Sequence, residues 1–188
     1  MKGMAKIHVL SGTDRPDSNA LRVSKYAANM MAQKADVELF TLEDFPLADV
    51  VGGVYGKTPK SVTDFNDKFL DADGFLFVIP EYNGGFPGIL KLFVDYLPFP
   101  ESLYKVPVSV VGEAAGAFGA LRPVEQFEQI LTYRKAIIYP ERMFIQNVNN
   151  TFDEKTGLKS EKLQELFEKQ LKCFPDFVSK LDYNLVDA

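Results

Sequence analysis

The run Phe75-Leu76-Phe77-Val78-Ile79 has no polar residue and sits between Gly74 and Pro80. A strand with one face in water alternates apolar and polar side chains, whereas a strand covered on both faces does not. A covered strand of this kind belongs in a parallel sheet layered by helices. Further strands are predicted over Lys6 to Ser11, Val37 to Thr41, Pro107 to Val111 and Lys135 to Tyr139. Helical spacing separates them. Leu21, Tyr26, Ala27 and Met30 mark a helix over Ser18 to Gln33, and Pro59 starts one whose apolar face is Val62, Phe65, Phe69 and Leu70. Ile89 to Leu97, Ala120 to Thr132 and Leu158 to Leu181 read as the remaining helices, the last interrupted near Pro175. Leu42 to Lys57, with Pro46, Gly52, Gly53 and Gly56, reads as a long loop, and Phe152 to Leu158 as a turn.

Five strands alternating with helices predict an α/β fold whose parallel sheet runs in the order 2-1-3-4-5. The ligand site of such a sheet lies outside the carboxyl ends of its strands, where the order reverses. The loops after strands one, three and four are therefore the ones to inspect. No linker divides the 188 residues, so a single domain over 1–188 is expected.

Charge and cysteine usage exclude several classes. The net charge is −5, which argues against a nucleic-acid partner. Cys173 is the only cysteine, consistent with a reducing, cytoplasmic setting. The apolar stretch Ile7 to Leu10 is too short for a signal or membrane segment, so no membrane association is expected.

The loop after strand one reads Ser11-Gly12-Thr13-Asp14-Arg15-Pro16-Asp17-Ser18-Asn19 and opens a helix. A phosphate is held by backbone N–H groups at a helix N-terminus, helped by a fixed cation. Ser11, Thr13, Ser18 and Asn19 bring hydroxyl and amide groups, and Arg15 brings a planar fork. An ordinary polar turn, capped by Asp17 or Ser18, accounts for the same residues. The phosphate reading requires Asp14 and Asp17 to point away from the ligand. Neither G-x-x-x-x-G-K-[ST] nor G-x-G-x-x-G is present, which counts against a P-loop NTPase and a dinucleotide-fingerprint dehydrogenase.

The loop after strand three is Pro80-Glu81-Tyr82-Asn83-Gly84-Gly85-Phe86-Pro87-Gly88, followed by Ile89-Leu90-Lys91-Leu92-Phe93-Val94-Asp95. It resembles the P-E-Y-N-x-x-x-P-G-x-L-K-x-x-x-D motif of the NADPH-dependent FMN reductase family. The first loop resembles that family's S-G-[ST]-x-R-x-x-S-x-N. The resemblance implies a flavodoxin-like three-layer sandwich with noncovalent FMN. It further implies that Ser11, Thr13, Arg15, Ser18 and Asn19 serve the phosphate. Pro80, Glu81, Tyr82, Asn83 and Gly84 would wrap the isoalloxazine, and the third loop, with Gly112 and Ala114, would flank it. Hydride would pass from NADPH or NADH to FMN, and electrons then to a small acceptor such as a quinone, flavin, azo compound or metal oxyanion. A homodimer or homotetramer is implied. The alternative is a flavodoxin-type electron carrier without pyridine-nucleotide activity, although carriers show T-x-T-G-x-T where Arg15 stands here. Gly85, Leu92 and Glu113 depart from the family pattern, in which serine, asparagine and small hydroxyl residues are usual.

Other reactive side chains read as structural. His8 lies within the first strand, and without partner ligands it does not suggest a metal site. Cys173 reads as a small apolar filler of the last helix. Glu81 needs no acid role, because hydride transfer to a flavin requires none. Lys91 and Arg122 read as solvated charges.

Overall fold

The computed structural model describes residues 4–181. Its elements are β1 (Lys6–Ser11), α1 (Asn19–Met31), β2 (Asp36–Thr41), α2 (Leu47–Val50), α3 (Lys60–Leu70), β3 (Gly74–Pro80), α4 (Gly88–Tyr96), β4 (Pro107–Glu113) and α5 (Leu121–Tyr133). They continue with β5 (Ile137–Ile138), β6 (Met143–Ile145), α6 (Val148–Thr151), β7 (Phe152–Asp153), β8 (Gly157–Leu158) and α7 (Glu161–Lys180). The parallel sheet runs β2-β1-β3-β4-β5, the expected order, and all seven residues of β3 are buried.

Alternation along β3 sends its side chains into two separate cores. Leu76 and Val78 join Val23, Ala27, Phe167 and Leu171 under α1 and α7. Phe75, Phe77 and Ile79 join Val62, Phe69, Phe93 and Phe127 under α3, α4 and α5. The second core is rich in aromatic contacts: Phe69 stacks on Phe75 at 4.6 Å between ring centroids and meets Phe93 edge-on at 5.1 Å. This layering explains why the central strand carries no polar face.

Expectations for four segments are revised. The fifth strand is not a continuous Lys135 to Tyr139. Ile137–Ile138 pairs with Pro107–Val108, and Met143–Ile145 pairs with Val111–Glu113 further along β4. Pro140 lies between the two pieces and has no N–H to continue the ladder. The segment 42–57 is not wholly loop, since it contains α2. Finally, α7 runs through Pro175 without a break. A proline inside a helix costs about 3 kcal/mol, but Phe167, Leu171, Phe174 and Val178 on the same helix are all buried. Each such side chain contributes roughly 1.5–3 kcal/mol, so burial of the stripe outweighs the lost bond. The segment read as a turn, Phe152 to Leu158, is a short antiparallel hairpin of β7 and β8.

Candidate functional site

Three strand ends meet at one edge of the sheet: β1, β3 and β4 are neighbours, and their carboxyl ends open into a common cleft. The loop leaving β1 is tied down at its start. Gly12 N–H donates to the Val78 carbonyl at 2.9 Å, and a Cβ on Gly12 would stand 2.8 Å from that oxygen. Glycine is therefore demanded by the close approach. Thr13 is buried, and its Oγ1 lies 2.8 Å from Tyr82 Oη. The chain then swings outward, leaving Asp14, Arg15, Pro16 and Asp17 exposed. Ser18 returns it to the fold as the N-cap of α1, its Oγ accepting from Leu21 N–H at 3.0 Å. The capping residue is thus Ser18 rather than Asp17, whose φ of 51° is left-handed.

The loop after β3 is a tight hairpin. Tyr82 N–H donates to the Gly85 carbonyl at 2.8 Å, and Gly85 N–H to the Tyr82 carbonyl at 3.1 Å. Asn83 and Gly84 between them have φ of 53° and 77°. Two successive left-handed residues favour Asn-Gly, so this dipeptide carries the turn signal in the sequence.

The end of β4 completes the site. Glu81 N–H donates to the Glu113 carbonyl at 3.1 Å, and Ala114 N–H to the Ile145 carbonyl at 3.0 Å. Beyond β6, α6 brings Asn149 to the first loop, where its Oδ1 accepts from Asn19 Nδ2 at 2.8 Å.

The resulting cleft has a volume of about 510 Å³, in the range of small-ligand sites. Arg15, Pro16, Asp17, Ser18 and Asn19 line one side, Pro80, Glu81 and Tyr82 the floor, and Glu113, Ala114, Ala115 and Asn149 the other side. Tyr82 also lines an adjoining depression of about 250 Å³ with Asp14, Leu47, Pro87, Gly88, Ile89 and Leu92.

Of the residues expected at the site, Arg15, Ser18, Asn19, Pro80, Glu81, Tyr82 and Ala114 face this cleft. Ser11 and Thr13 are buried and do not line it. Asn83 and Gly84 sit at the hairpin tip and do not line it. Gly112 is corrected: it belongs to β4, paired with Ile79 and Phe144, not to the following loop. A Cβ there would stand 2.6 Å from the Gly119 carbonyl, so its bareness serves packing. Asn149 is a site residue that sequence reasoning misses, because nothing near it in the chain marks it. Asp17, too, lines the cleft rather than turning wholly away.

The donor set suits a phosphate. The first turn of α1 carries no acidic side chain. Arg15 has no ion-pair partner among the described residues, and Ser11 Oγ is buried without a hydrogen bond. An unengaged guanidinium beside a helix N-terminus suits an anion. Three acids, Asp17, Glu81 and Glu113, line the same cleft, and Glu113 is the buried one. Burial pushes the Glu113 carboxyl up to about 7, while Arg15 and Arg22 pull it back down. The side chains set aside hold structural places. His8 Nδ1 lies 2.7 Å from the Phe69 carbonyl, with burial lowering its pKa. Lys91 pairs with Asp95 at 2.6 Å, and the Arg122 guanidinium lies 4.8 Å over the Phe118 ring. Cys173 is half-buried against the core of α1 and α7. Among the described residues no group of His, Cys, Asp and Glu could hold a metal ion, and no helix is long and apolar enough to cross a membrane.

Known reductases are similar to this chain over most of its length. The chain is 28% identical over 180 residues to an NAD(P)H-dependent FMN reductase of Pseudomonas aeruginosa, covering 94% of this chain and 96% of that protein. It is 27% identical over 181 residues to a 2-hydroxy-1,4-benzoquinone reductase of a Burkholderia species, covering 91% and 92%. The fold matches that of the flavoenzyme NAD(P)H:(acceptor) oxidoreductase FerB from Paracoccus denitrificans, with a TM-score of 0.77 at 22% identity over 94% of this chain and 98% of that one. The model of the NADPH-dependent FMN reductase family matches residues 5–150, and the chain belongs to that family.

Proposed function

We propose that the cleft at the ends of β1, β3 and β4 is where this NAD(P)H-dependent FMN reductase holds its flavin. In this reading Ser11, Thr13, Arg15, Ser18 and Asn19 serve the phosphate. Pro80 to Gly84 border the ring system, and Ala114 flanks it. The observation that carries the reading is the Thr13–Tyr82 hydrogen bond, which couples the anion seat to the hairpin after β3.

FMN supplies the redox chemistry when bound, accepting hydride from NADPH or NADH and passing electrons on. The chain's own residues orient and stabilise. Arg15 and the N-terminus of α1 offset the phosphate charge. The left-handed turn at Asn83 and Gly84 holds the main chain of the hairpin in one shape, so its N–H groups need no reorganisation to meet a ligand. Tyr82, lining both the cleft and the adjoining depression, separates the two spaces. The depression, lined mostly by apolar side chains, suits a planar second substrate such as a quinone, and alternation of the two substrates in one place explains a small site.

A second copy of the chain completes the molecule in this reading. Phe118 and Leu121, beside the third loop, are 58% and 39% exposed, which supports a homodimer or homotetramer. The single cysteine and the need for pyridine nucleotide support a cytoplasmic location, and the unbroken succession of elements from β1 to α7 supports a single domain. The test is spectroscopic. The purified protein with FMN should be yellow and should bleach within one turnover on anaerobic addition of NADPH or NADH, recovering with a benzoquinone. A yellow protein that neither nucleotide bleaches would make it a carrier, and one that takes up no FMN would end the reading.

A further inference from the structure

Glu113 is the residue that the family pattern does not prepare for, and the structure gives it an uncommon setting. It is 4% exposed, yet it lines the cleft. It shares its sheet face with Val111, which packs in the core beneath α1, so the carboxyl lies on the side of the phosphate loop. Its backbone is held from both edges of β4, by Glu81 on one side and by the pairing with Ile145 on the other. A main-chain shift cannot carry the side chain into water without unzipping the central sheet.

The charges around it are few. Arg15 and Asp17 come from the first loop, Arg22 from α1 and Glu81 from the end of β3, with Tyr82 the other titratable neighbour. Segments 114–120 and 143–151 carry no charged side chain. Asp17 and Glu81 are more exposed than Glu113. Arg22 is already engaged, with Asn19 at 2.9 Å and Glu154 at 4.0 Å. No cation lies within ion-pairing distance of Glu113 among the described residues, so the two arginines act on it through space only.

We propose that FMN capture is coupled to a proton at Glu113: the cleft receives the phosphate together with one proton taken from solvent onto this carboxyl. This rests on the reading of the cleft as the FMN seat. A phosphate monoester is close to a dianion above neutrality, its second pKa being about 6. Its arrival engages Arg15, removing one of the pulls that favour the carboxylate, and adds negative charge nearby. Both changes favour the protonated acid. The protonated form also gains a donor, which can hydrogen-bond to a ligand oxygen, whereas the carboxylate can only accept. The free carboxyl already titrates near neutrality because of its burial, so this coupling operates in the ordinary working range of pH.

Flavin-free protein is titrated with FMN at pH 8 in two buffers of different ionisation enthalpy, and the heats give the protons taken up per flavin. The expected uptake is roughly 0.5–1 proton for the natural chain and none for Glu113→Gln. Quenching of FMN fluorescence between pH 7 and 9 gives the second readout. The dissociation constant of the natural chain should rise by up to about tenfold per pH unit, and that of Glu113→Gln should stay flat. Circular dichroism checks that the variant is folded; if it is not, the natural chain alone decides through its proton count and pH slope. FMN binding without proton uptake overturns the coupling and leaves the seat intact. Uptake that persists in folded Glu113→Gln overturns the assignment to this residue. A natural chain that binds no FMN at any pH overturns the seat itself.

Discussion

Thr13 Oγ1 and Tyr82 Oη stand 2.8 Å apart, joining two loops that are 69 positions apart in the chain. Thr13 is 1% exposed, so its hydroxyl has no recourse to water. It also accepts the Arg15 N–H at 3.3 Å, which places Arg15. Tyr82→Phe deletes one hydroxyl while keeping the ring. A net loss of about 1 kcal/mol is expected, seen as a melting temperature lower by roughly 2–4 °C. Because the bond positions the Arg15 loop, FMN affinity should fall several-fold as well. Thermal melts with and without FMN measure both; an unchanged affinity would detach the hairpin from the phosphate loop.

Arg15 is exposed and has no carboxylate holding it among the described residues. Charge-assisted hydrogen bonds contribute about 1.5–3 kcal/mol, so Arg15→Ala should raise the FMN dissociation constant roughly 10- to 100-fold. Arg15→Lys keeps the charge but not the fork, and should fall between the two. Riboflavin lacks the phosphate, so its binding should be nearly the same in all three proteins. Equal losses for FMN and riboflavin would move Arg15 away from the phosphate.

Gly112 and Gly84 are both expected to meet the flavin, and their surroundings differ. A Cβ on Gly112 would lie 2.6 Å from the Gly119 carbonyl and 3.1 Å from both Phe144 and Val124. Overpacking of this kind costs about 1–3 kcal/mol, so Gly112→Ala should lower the melting temperature markedly. A Cβ on Gly84 meets nothing within 4 Å, but its φ of 77° is left-handed. Gly84→Ala should cost only about 1 kcal/mol, leaving a folded protein whose hairpin geometry is altered. Comparing the two melts, then the flavin content of each, tests the division.

How much of this is legible in the sequence depends on where the determining contact lies. Both-sided burial leaves a mark in composition, so β3 can be read from five apolar residues in a row. The loop after β1 can be read because cap, cation and turn are all local to residues 11–19. The ending of β4 cannot, because Gly112 and Glu113 become strand by pairing with Phe144 and Ile145, some thirty positions on. The same pairing buries Glu113, whose carboxyl the sequence displays but whose setting it does not. Asn149 reaches Asn19 across 130 positions, a contact that no local pattern encodes. Pro175 fails as a helix breaker for a related reason: the buried stripe of α7 is a tertiary effect, stronger than the local one.

Glu113 carries a final consequence, for stability rather than binding. Its folded pKa of about 7 lies above the ordinary value of 4.5, so the folded state holds its proton more tightly than the unfolded chain does. The stabilisation from that proton is complete below about pH 4.5 and is lost as pH rises through about 7. Every tenfold gain in proton affinity on folding is worth about 1.4 kcal/mol, so the full effect is on the order of 3 kcal/mol. Flavin-free protein should therefore lose stability between pH 5 and 8 through this group. Glu113→Gln keeps the shape without the ionisation and should lack this loss, leaving the gain with rising pH that His8 gives because burial lowers its pKa, and making it the more stable of the two at pH 8. Urea unfolding at pH 5, 6, 7 and 8 reads both curves, and parallel slopes in the two proteins would place the titration elsewhere.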